Sequence, residues 1–141
     1  MGHTRVRDIM PRKMVTISEG DSLSTVEDIM RLGGVRHMPV VQAGKLVGVV
    51  SERDLLRASL SNLGDFGSAE RRAFLHVVEI ARVMTAPPIV IDPDASVEEA
   101  AQVLAERKIG CLPVVKDDLL LGLLTETDVL RHLAGLPPDL D

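Results

Sequence analysis

Tryptophan and tyrosine are absent from this chain, and only two phenylalanines occur, Phe66 and Phe74. A flat ligand would therefore be held between aliphatic side chains and not stacked on rings. The core must be built from Val, Ile, Leu and Met. Cysteine occurs once, as Cys111, which excludes an internal disulfide and fits a reducing compartment. It lies in the apolar run "KIGCLPVV", where a thiol acts as a small buried hydrophobe. No apolar run approaches the ~20 residues needed to span a bilayer. The opening stretch "MGHTRVRDIMPRK" carries charges where a secretory leader needs an apolar segment. These absences point to a cytoplasmic protein with no membrane role. A basic stripe is also missing. Net charge is −5, divided as +2 over residues 1–60, −1 over 61–79 and −6 over 80–141. An acidic chain of this kind does not suit nucleic acid. Its four histidines (His3, His37, His76, His132) lack paired metal-ligand spacing. No nucleophile stands beside a base, and no glycine-rich phosphate loop carries a lysine. The expectation is a protein that is not an enzyme and holds no catalytic cofactor or metal.

What the chain does contain is a sentence written twice. "GVVSERDLLR" (48–57) and "GLLTETDVLR" (122–131) are offset by 74 residues. At that offset about 55 residues pair without a gap, including Met10/Met84, Ile17/Ile91, Ser22/Ser96, Pro39/Pro113, Gly48/Gly122, Asp54/Asp128 and Arg57/Arg131. The chain reads as a tandem duplication, roughly 6–60 and 80–134. We bound the parts as repeat 1 over 1–60, a linker with a connecting helix over 61–79, and repeat 2 with a short tail over 80–141. Hydrophobic residues form 45% of the 141 positions, and one copy alone would bury only a marginal core. Two copies packed together remedy this and create a cleft between them.

Each copy predicts the order β-α-β-β-α. "MVTIS" and "PIVID" read as short strands rich in β-branched residues. Ser22 opens a helix whose Leu23, Val26, Ile29 and Met30 share a face. Ser96 opens its counterpart, with Glu99 placed for a capping box. "RHMPVV" and "GCLPVV" follow as second strands. "AGK" and "DDL" turn into the third strands "LVGVVS" and "LLGLLT", and helices start at Glu52 and Glu126. Between the copies, "SNLGDFGS" reads as a polar turn. The spacing of Ala73, Phe74, Val77, Ala81 and Met84 predicts a connecting helix over 69–83. The tail "GLPPDLD" reads as frayed.

The pattern "VRDIM…VTISEGDSLSTVEDIM…GVRHMPVV…GKLVGVVSERDLL", present twice, resembles a pair of CBS domains, the repeats first named for cystathionine β-synthase. The resemblance covers nearly the whole chain. It implies an α+β fold of two β-α-β-β-α repeats about a pseudo-twofold axis, often assembled as a homodimer. It also implies adenine nucleotides or related adenosyl compounds bound between the repeats. The expected role is a non-catalytic sensor of AMP, ADP or ATP whose occupancy is read by an unidentified target protein. The alternatives are a ligand-free dimerisation scaffold, or a binder of S-adenosylmethionine or NAD.

Two readings stand for the residues at each strand-to-helix junction. Ser51 with Asp54, and Thr125 with Asp128, suit a helix N-cap. The same geometry suits a ligand. A helix N-terminus favours an anion, and a carboxylate can accept both hydroxyls of a ribose. Gly48 and Gly122 relieve backbone crowding or admit a ligand. By resemblance, Gly34, Val35, Met38 and Pro39 flank an adenine in copy 1, as do Ile109, Leu112 and Pro113 in copy 2. Thr16 with Ile17, and Val90 with Ile91, would edge the base. All the apolar members also suit plain core. Lys108 replaces the glycine of the other copy. Arg36, His37 and Arg53 give copy 1 phosphate-seeking groups, or merely a solvated charged face. Their counterparts Gly110, Cys111 and Thr127 are uncharged, and Asp117, Asp118, Glu126 and Asp128 add negative potential to copy 2.

Overall fold

The computed structural model describes residues 3–60 and 68–139. Residues 61–67, which hold most of the predicted turn "SNLGDFGS" and Phe66, lie outside the described residues. The elements run α1 (Val6–Ile9), β1 (Ile17–Ser18), α2 (Leu23–Gly33), β2 (His37–Gln42), β3 (Lys45–Ser51), α3 (Glu52–Leu60) and α4 (Ser68–Val77). A 3-10 turn (Ile80–Arg82) leads to α5 (Val97–Arg107), β4 (Cys111–Lys116), β5 (Leu119–Thr125) and α6 (Glu126–Leu133). The fold is α+β. Two compact units form, one from residues 1–14 with 89–141, the other from 15–88. The units are thus bounded differently from the sequence repeats. Each repeat is completed by the segment that precedes the other repeat in the chain.

In the unit of residues 15–88, β1 pairs parallel to β2 and β2 antiparallel to β3. In the other unit β4 pairs antiparallel to β5, and Ile91 bridges in parallel to Val114. The first strands are shorter than "MVTIS" and "PIVID" predict. Only Ile17 and Ser18 of one, and Ile91 of the other, reach the ladder. The two hairpins share every irregularity. Both skip one residue of the third strand, after Val40 and after Val114. Both turns place two residues at positive φ, Ala43 (50°) with Gly44 (78°), and Asp117 (52°) with Asp118 (63°). Two-residue hairpin turns of this type match the twist of the strands they join.

Aliphatic residues fill both cores. Val6, Ile9, Met10, Ile91, Val97, Leu104, Leu112, Val114, Leu124 and Val129 form one. Ile17, Leu23, Val26, Met30, Met38, Val40, Val50, Leu55, Leu75 and Ile80 form the other. A helix as short as α1 has no intrinsic stability. It persists because Val6 and Ile9 are buried, an effect worth about 1.5–3 kcal/mol per side chain. Backbone bonds fasten it: the amides of Val6 and Arg7 donate to the carbonyls of Ala95 and Pro93, 2.9 Å each. Asp94 adds ion pairs to Arg5, Arg7 and Lys116. Hydrogen bonds from Lys116 and Arg7 hold its carboxyl below the usual carboxylate range.

The connecting helix departs from its predicted span. It ends at Val77, and the chain then pairs with the start of α2. Leu23 donates to the Val78 carbonyl (3.1 Å), and Ile80 donates to that of Asp21 (3.1 Å). This pairing overrides the helical spacing. Consequently Val77 is 74% exposed, whereas Leu75, off the predicted face, is fully buried. At the caps, Ser96 accepts from the Glu99 amide at 3.0 Å, half of the expected box. Ser22 instead bonds the Ser24 hydroxyl at 2.7 Å. The tail is tied down: Arg131 donates twice to the Pro137 carbonyl, at 3.2 and 2.8 Å.

Gly48 and Gly122 explain themselves through these docked segments. A Cβ on Gly48 would stand 2.7 Å from Met84 Sδ and 2.9 Å from the Thr85 carbonyl oxygen. One on Gly122 would stand 2.6 Å from the Pro11 carbonyl oxygen and 3.1 Å from Met10 Sδ. The close approach is made by protein, so the crowding reading of these glycines holds. Gly48→Ala and Gly122→Ala should each cost about 1–3 kcal/mol in urea denaturation followed by circular dichroism. Gly122→Ala should cost more, because the backbone oxygen it meets is nearer, 2.6 Å against 2.9 Å at Gly48. A loss below about 0.5 kcal/mol in either variant would contradict this packing.

Candidate functional site

In each unit, backbone pairing gathers the sequence-predicted residues at one end of the sheet. The Cα of His37 is partnered with that of Ser51, and Cys111 with Thr125. The first amide of α3, Glu52, donates to the Arg36 carbonyl at 2.9 Å. Glu126 donates to the Gly110 carbonyl at 3.0 Å. These bonds lay the loop before the second strand against the N-terminus of the following helix. No sequence signal marks them, because they use only main-chain atoms. Ile17 is partnered with Val40 in register, which brings Thr16 to the level of Pro39. Ile91 donates to the Pro113 carbonyl at 3.0 Å, doing the same for Val90.

The junction itself is a capping box in both units. The amide of Ser51 donates to Asp54 Oδ2 at 2.9 Å, and its hydroxyl donates to the same oxygen at 3.0 Å. The Asp54 amide returns a bond to Ser51 Oγ at 3.1 Å. The matching distances for Thr125 and Asp128 are 2.8, 2.9 and 3.3 Å. Capping therefore occupies Oδ2 of each aspartate and turns the hydroxyl toward it. Oδ1 of each receives no protein hydrogen bond among the described residues. Yet no buried side-chain oxygen there is sealed from solvent without a partner. Each Oδ1 is thus an accessible acceptor on an otherwise buried carboxylate, with Asp54 7% and Asp128 8% exposed. The two readings of this motif are compatible, since one carboxylate oxygen caps the helix and the other keeps some access to solvent.

The remaining predicted residues divide by burial. Met38, Leu112 and Pro39 are enclosed in the cores, as is Ile17 at 3% exposure. Pro113 and Ile91 are also buried. Val35 and Ile109 are half-buried at the loop before the second strand, and Thr16, Gly34, Arg36, Arg53 and Val90 are exposed. His37 is half-buried, whereas its counterpart Cys111 is buried. Gly34 and Lys108 are the C-caps of α2 and α5, both left-handed, at φ 66° and 55°. A Cβ on Gly34 would meet nothing within 4 Å. The glycine is therefore explained by its backbone angle, which Lys108 also adopts.

Charge at the two sites differs as Arg36 and Arg53 foretell, with one correction. Asp117 and Asp118 form the turn between β4 and β5, at the opposite end of the hairpin from Thr125. Seven residues of strand separate them, roughly 20 Å, beyond effective electrostatic reach in salt. Glu126 and Asp128 lend negative charge to that site, and Asp139 of the tail adds to it. Burial raises the pKa of Asp128 above the usual carboxylate value, while hydrogen bonds from the Thr125 amide and hydroxyl oppose the rise. Among the described residues, no cluster of His, Cys, Asp and Glu could hold a metal ion. None of their helices is long and apolar enough to cross a membrane.

A raised carboxyl pKa favours the folded state while the group is protonated. That contribution is fully present below the ordinary value of 3.8 and is lost as pH rises through the folded value. Asp128→Asn keeps an acceptor for the Thr125 amide and removes the titration. The variant should gain stability relative to wild type as pH climbs from about 4, with the difference level above the folded pKa. Urea denaturation across that range checks it. A difference independent of pH would contradict the burial effect.

The pattern of CBS domains matches residues 6–61 and 79–135. An uncharacterised protein of Methanocaldococcus jannaschii, MJ1404, is 33% identical over 142 residues, covering 96% of this chain and 33% of that protein. The chain spans a third or less of the length of the first curated relatives it matches. The crystal structure of CBSX2 in complex with AMP is similar at a TM-score of 0.80 and 28% identity, over 95% of this chain and 98% of that one. The CBS domain pair of protein MJ0100, in complex with 5′-methylthioadenosine and S-adenosyl-L-methionine, gives a TM-score of 0.80 at 26% identity, with the same coverage. With both repeats matched over most of their length, and with the hairpins, bulges and capping boxes duplicated at the same offset, the chain belongs to the CBS domain family.

Proposed function

We propose that this chain is a non-catalytic regulatory module that binds an adenosyl ligand at the strand-to-helix junction of each unit. The observation that carries the reading is the accessible Oδ1 of Asp54 and of Asp128, held by a capping box at a helix N-terminus. A ribose edge offers two hydroxyl donors to such an oxygen. The half-buried Val35 and Ile109 stand beside the junction to meet an apolar base face, as the lack of aromatics requires. Similarity to structures holding AMP, 5′-methylthioadenosine and S-adenosyl-L-methionine supports the same ligand class. A buried, lone Cys111 supports a cytoplasmic setting.

The two sites favour different members of that class. Beside Asp54 stand Arg36, Arg53 and His37; beside Asp128 stand Gly110, Thr127 and a buried Cys111. Among the described residues Arg36 and Arg53 form no ion pair. The site of Asp54 is therefore suited to a phosphorylated adenosine such as AMP, ADP or ATP. The site of Asp128 is suited to an adenosyl group without phosphate, S-adenosylmethionine included. Titration calorimetry tests both points. Asp54→Ala should weaken AMP binding roughly 10- to 150-fold, the loss of hydrogen bonds to a charged group worth about 1.5–3 kcal/mol. Arg53→Ala should weaken AMP far more than adenosine. Equal AMP affinity in wild type and both variants would sink the assignment, and no heat with any adenosyl ligand would favour a ligand-free scaffold.

We also propose a homodimer. Leu56 and Leu130, equivalent positions on α3 and α6, are 57% and 61% exposed. Matched leucines on two helices give the apolar face that self-association requires. Sedimentation equilibrium at micromolar concentration should return twice the chain mass, and Leu56→Glu with Leu130→Glu should return the chain mass. A monomeric wild type would count against the dimer.

A further inference from the structure

The chain turns back on itself after α6. The amides of Gly135 and Leu136 donate to the carbonyls of His132 and Arg131 at 3.1 and 2.8 Å, and Gly135 is left-handed at φ 73°. This pair of bonds ends a helix in a tight reversal. Arg131 then grips the returning strand, with Nε and Nη2 both donating to the Pro137 carbonyl, at 3.2 and 2.8 Å. Side chains on a helix lean toward its N-terminus. Arg131 shares a face of α6 with Asp128, three residues earlier. The guanidinium therefore holds the returning segment on the side of the helix that carries the capping aspartate.

Simple lengths carry the segment further. From Pro137 to Asp139 an extended chain advances about 6 Å, and from Arg131 back to Asp128 the helix rises about 4.5 Å. Asp139 thus comes level with the capping box. The electrostatics of Asp128 agree. Burial is the main cause of its raised pKa, and of the charges acting on it Asp139 raises the value while Arg131 lowers it. Asp139 is exposed, and among the described residues it forms no ion pair that would neutralise it. The cation that a phosphate would seek on this face, Arg131, spends two donors on a main-chain oxygen.

We propose that Asp139, carried back by the segment after α6, sets the charge preference of the Asp128 site, favouring an adenosyl ligand with a cationic 5′ substituent over one with a phosphate. This rests on the adenosyl reading of that junction and adds to it a specificity-determining residue outside the repeat. A ribose held by Asp128 presents its 5′ substituent one sugar away from the carboxylate, well within the reach of an exposed charge in physiological salt, about 8 Å. A sulfonium there is attracted and a phosphate repelled. Asp139 acts through space, so a neutral nucleoside does not sense it.

Titration calorimetry in an Asp54→Ala background isolates the Asp128 site, with AMP, S-adenosylmethionine and adenosine as probes. Asp139→Asn should tighten AMP and weaken S-adenosylmethionine, each by roughly two- to fivefold, as removal of one exposed charge allows. Adenosine should bind as before. Asp139→Lys should move both charged ligands further in the same directions, and about 0.5 M salt should narrow every difference. Lys108, in the loop ahead of β4, is unchanged in these variants, so the differences read Asp139 alone. A carboxyl NMR titration reports the placement without ligand: the pKa of Asp128 should fall in Asp139→Asn. An unchanged Asp128 titration, or AMP and S-adenosylmethionine affinities unchanged in Asp139→Lys, overturns the proposal. So does an equal change with all three ligands, which would make the segment's shape and not its charge responsible. If adenosine binds and Asp128→Ala abolishes its heat, the adenosyl reading stands whatever Asp139 does. No heat with any of the three overturns that reading and this proposal together.

Discussion

A backbone segment lying directly on a glycine of the third strand is the contact on which both units depend. Met10 and Pro11 rest on Gly122, and Met84 and Thr85 rest on Gly48. The approach is too close for any side chain on the strand. It closes a core that a 55-residue repeat would leave open, since Val6, Ile9 and Met10 complete one core and Ile80 completes the other. Thr85 exchanges two backbone bonds with Val49, 3.1 and 2.8 Å, and so caps the edge of β3 as well. The strand that carries the glycine runs on, three residues later, into the capping box. Core closure and site geometry are thus set by one strand in each unit.

The capping box gives the aspartates their double nature. A buried carboxylate is tolerated because the helix N-terminus supplies donors for one of its oxygens. The cost of burial is visible at Asp128, whose pKa is raised in spite of those bonds. What remains is a fixed, accessible acceptor whose position is locked by the fold and not by side-chain flexibility. Such preorganisation lowers the entropy lost when a small ligand binds. In the proposed function the same motif serves both helix stability and recognition.

Much of this was legible in the sequence because the duplication acts as an internal control. The hairpins, turns and strand-to-helix junctions follow from local chemistry: "AGK" and "DDL" as turns, Ser51/Asp54 and Thr125/Asp128 as caps. The first strands were overextended, because β-branched residues alone do not decide whether a partner strand lies alongside. The end of α4 was misplaced because Val78–Ile80 is captured by the start of α2, a long-range contact that a helical period cannot report. The turn at Asp117 and Asp118 is legible, but a charge count over copy 2 does not report that this turn lies at the far end of the hairpin from Thr125.

The proposed adenosyl sites are tested most directly by following backbone amide resonances of the labelled chain during titration with AMP and with S-adenosylmethionine. The account predicts that AMP shifts the amides of 34–37 and 51–54 first. It predicts that S-adenosylmethionine shifts those of 109–111 and 125–128. Saturable shifts confined to other regions, or none with either ligand, would contradict it.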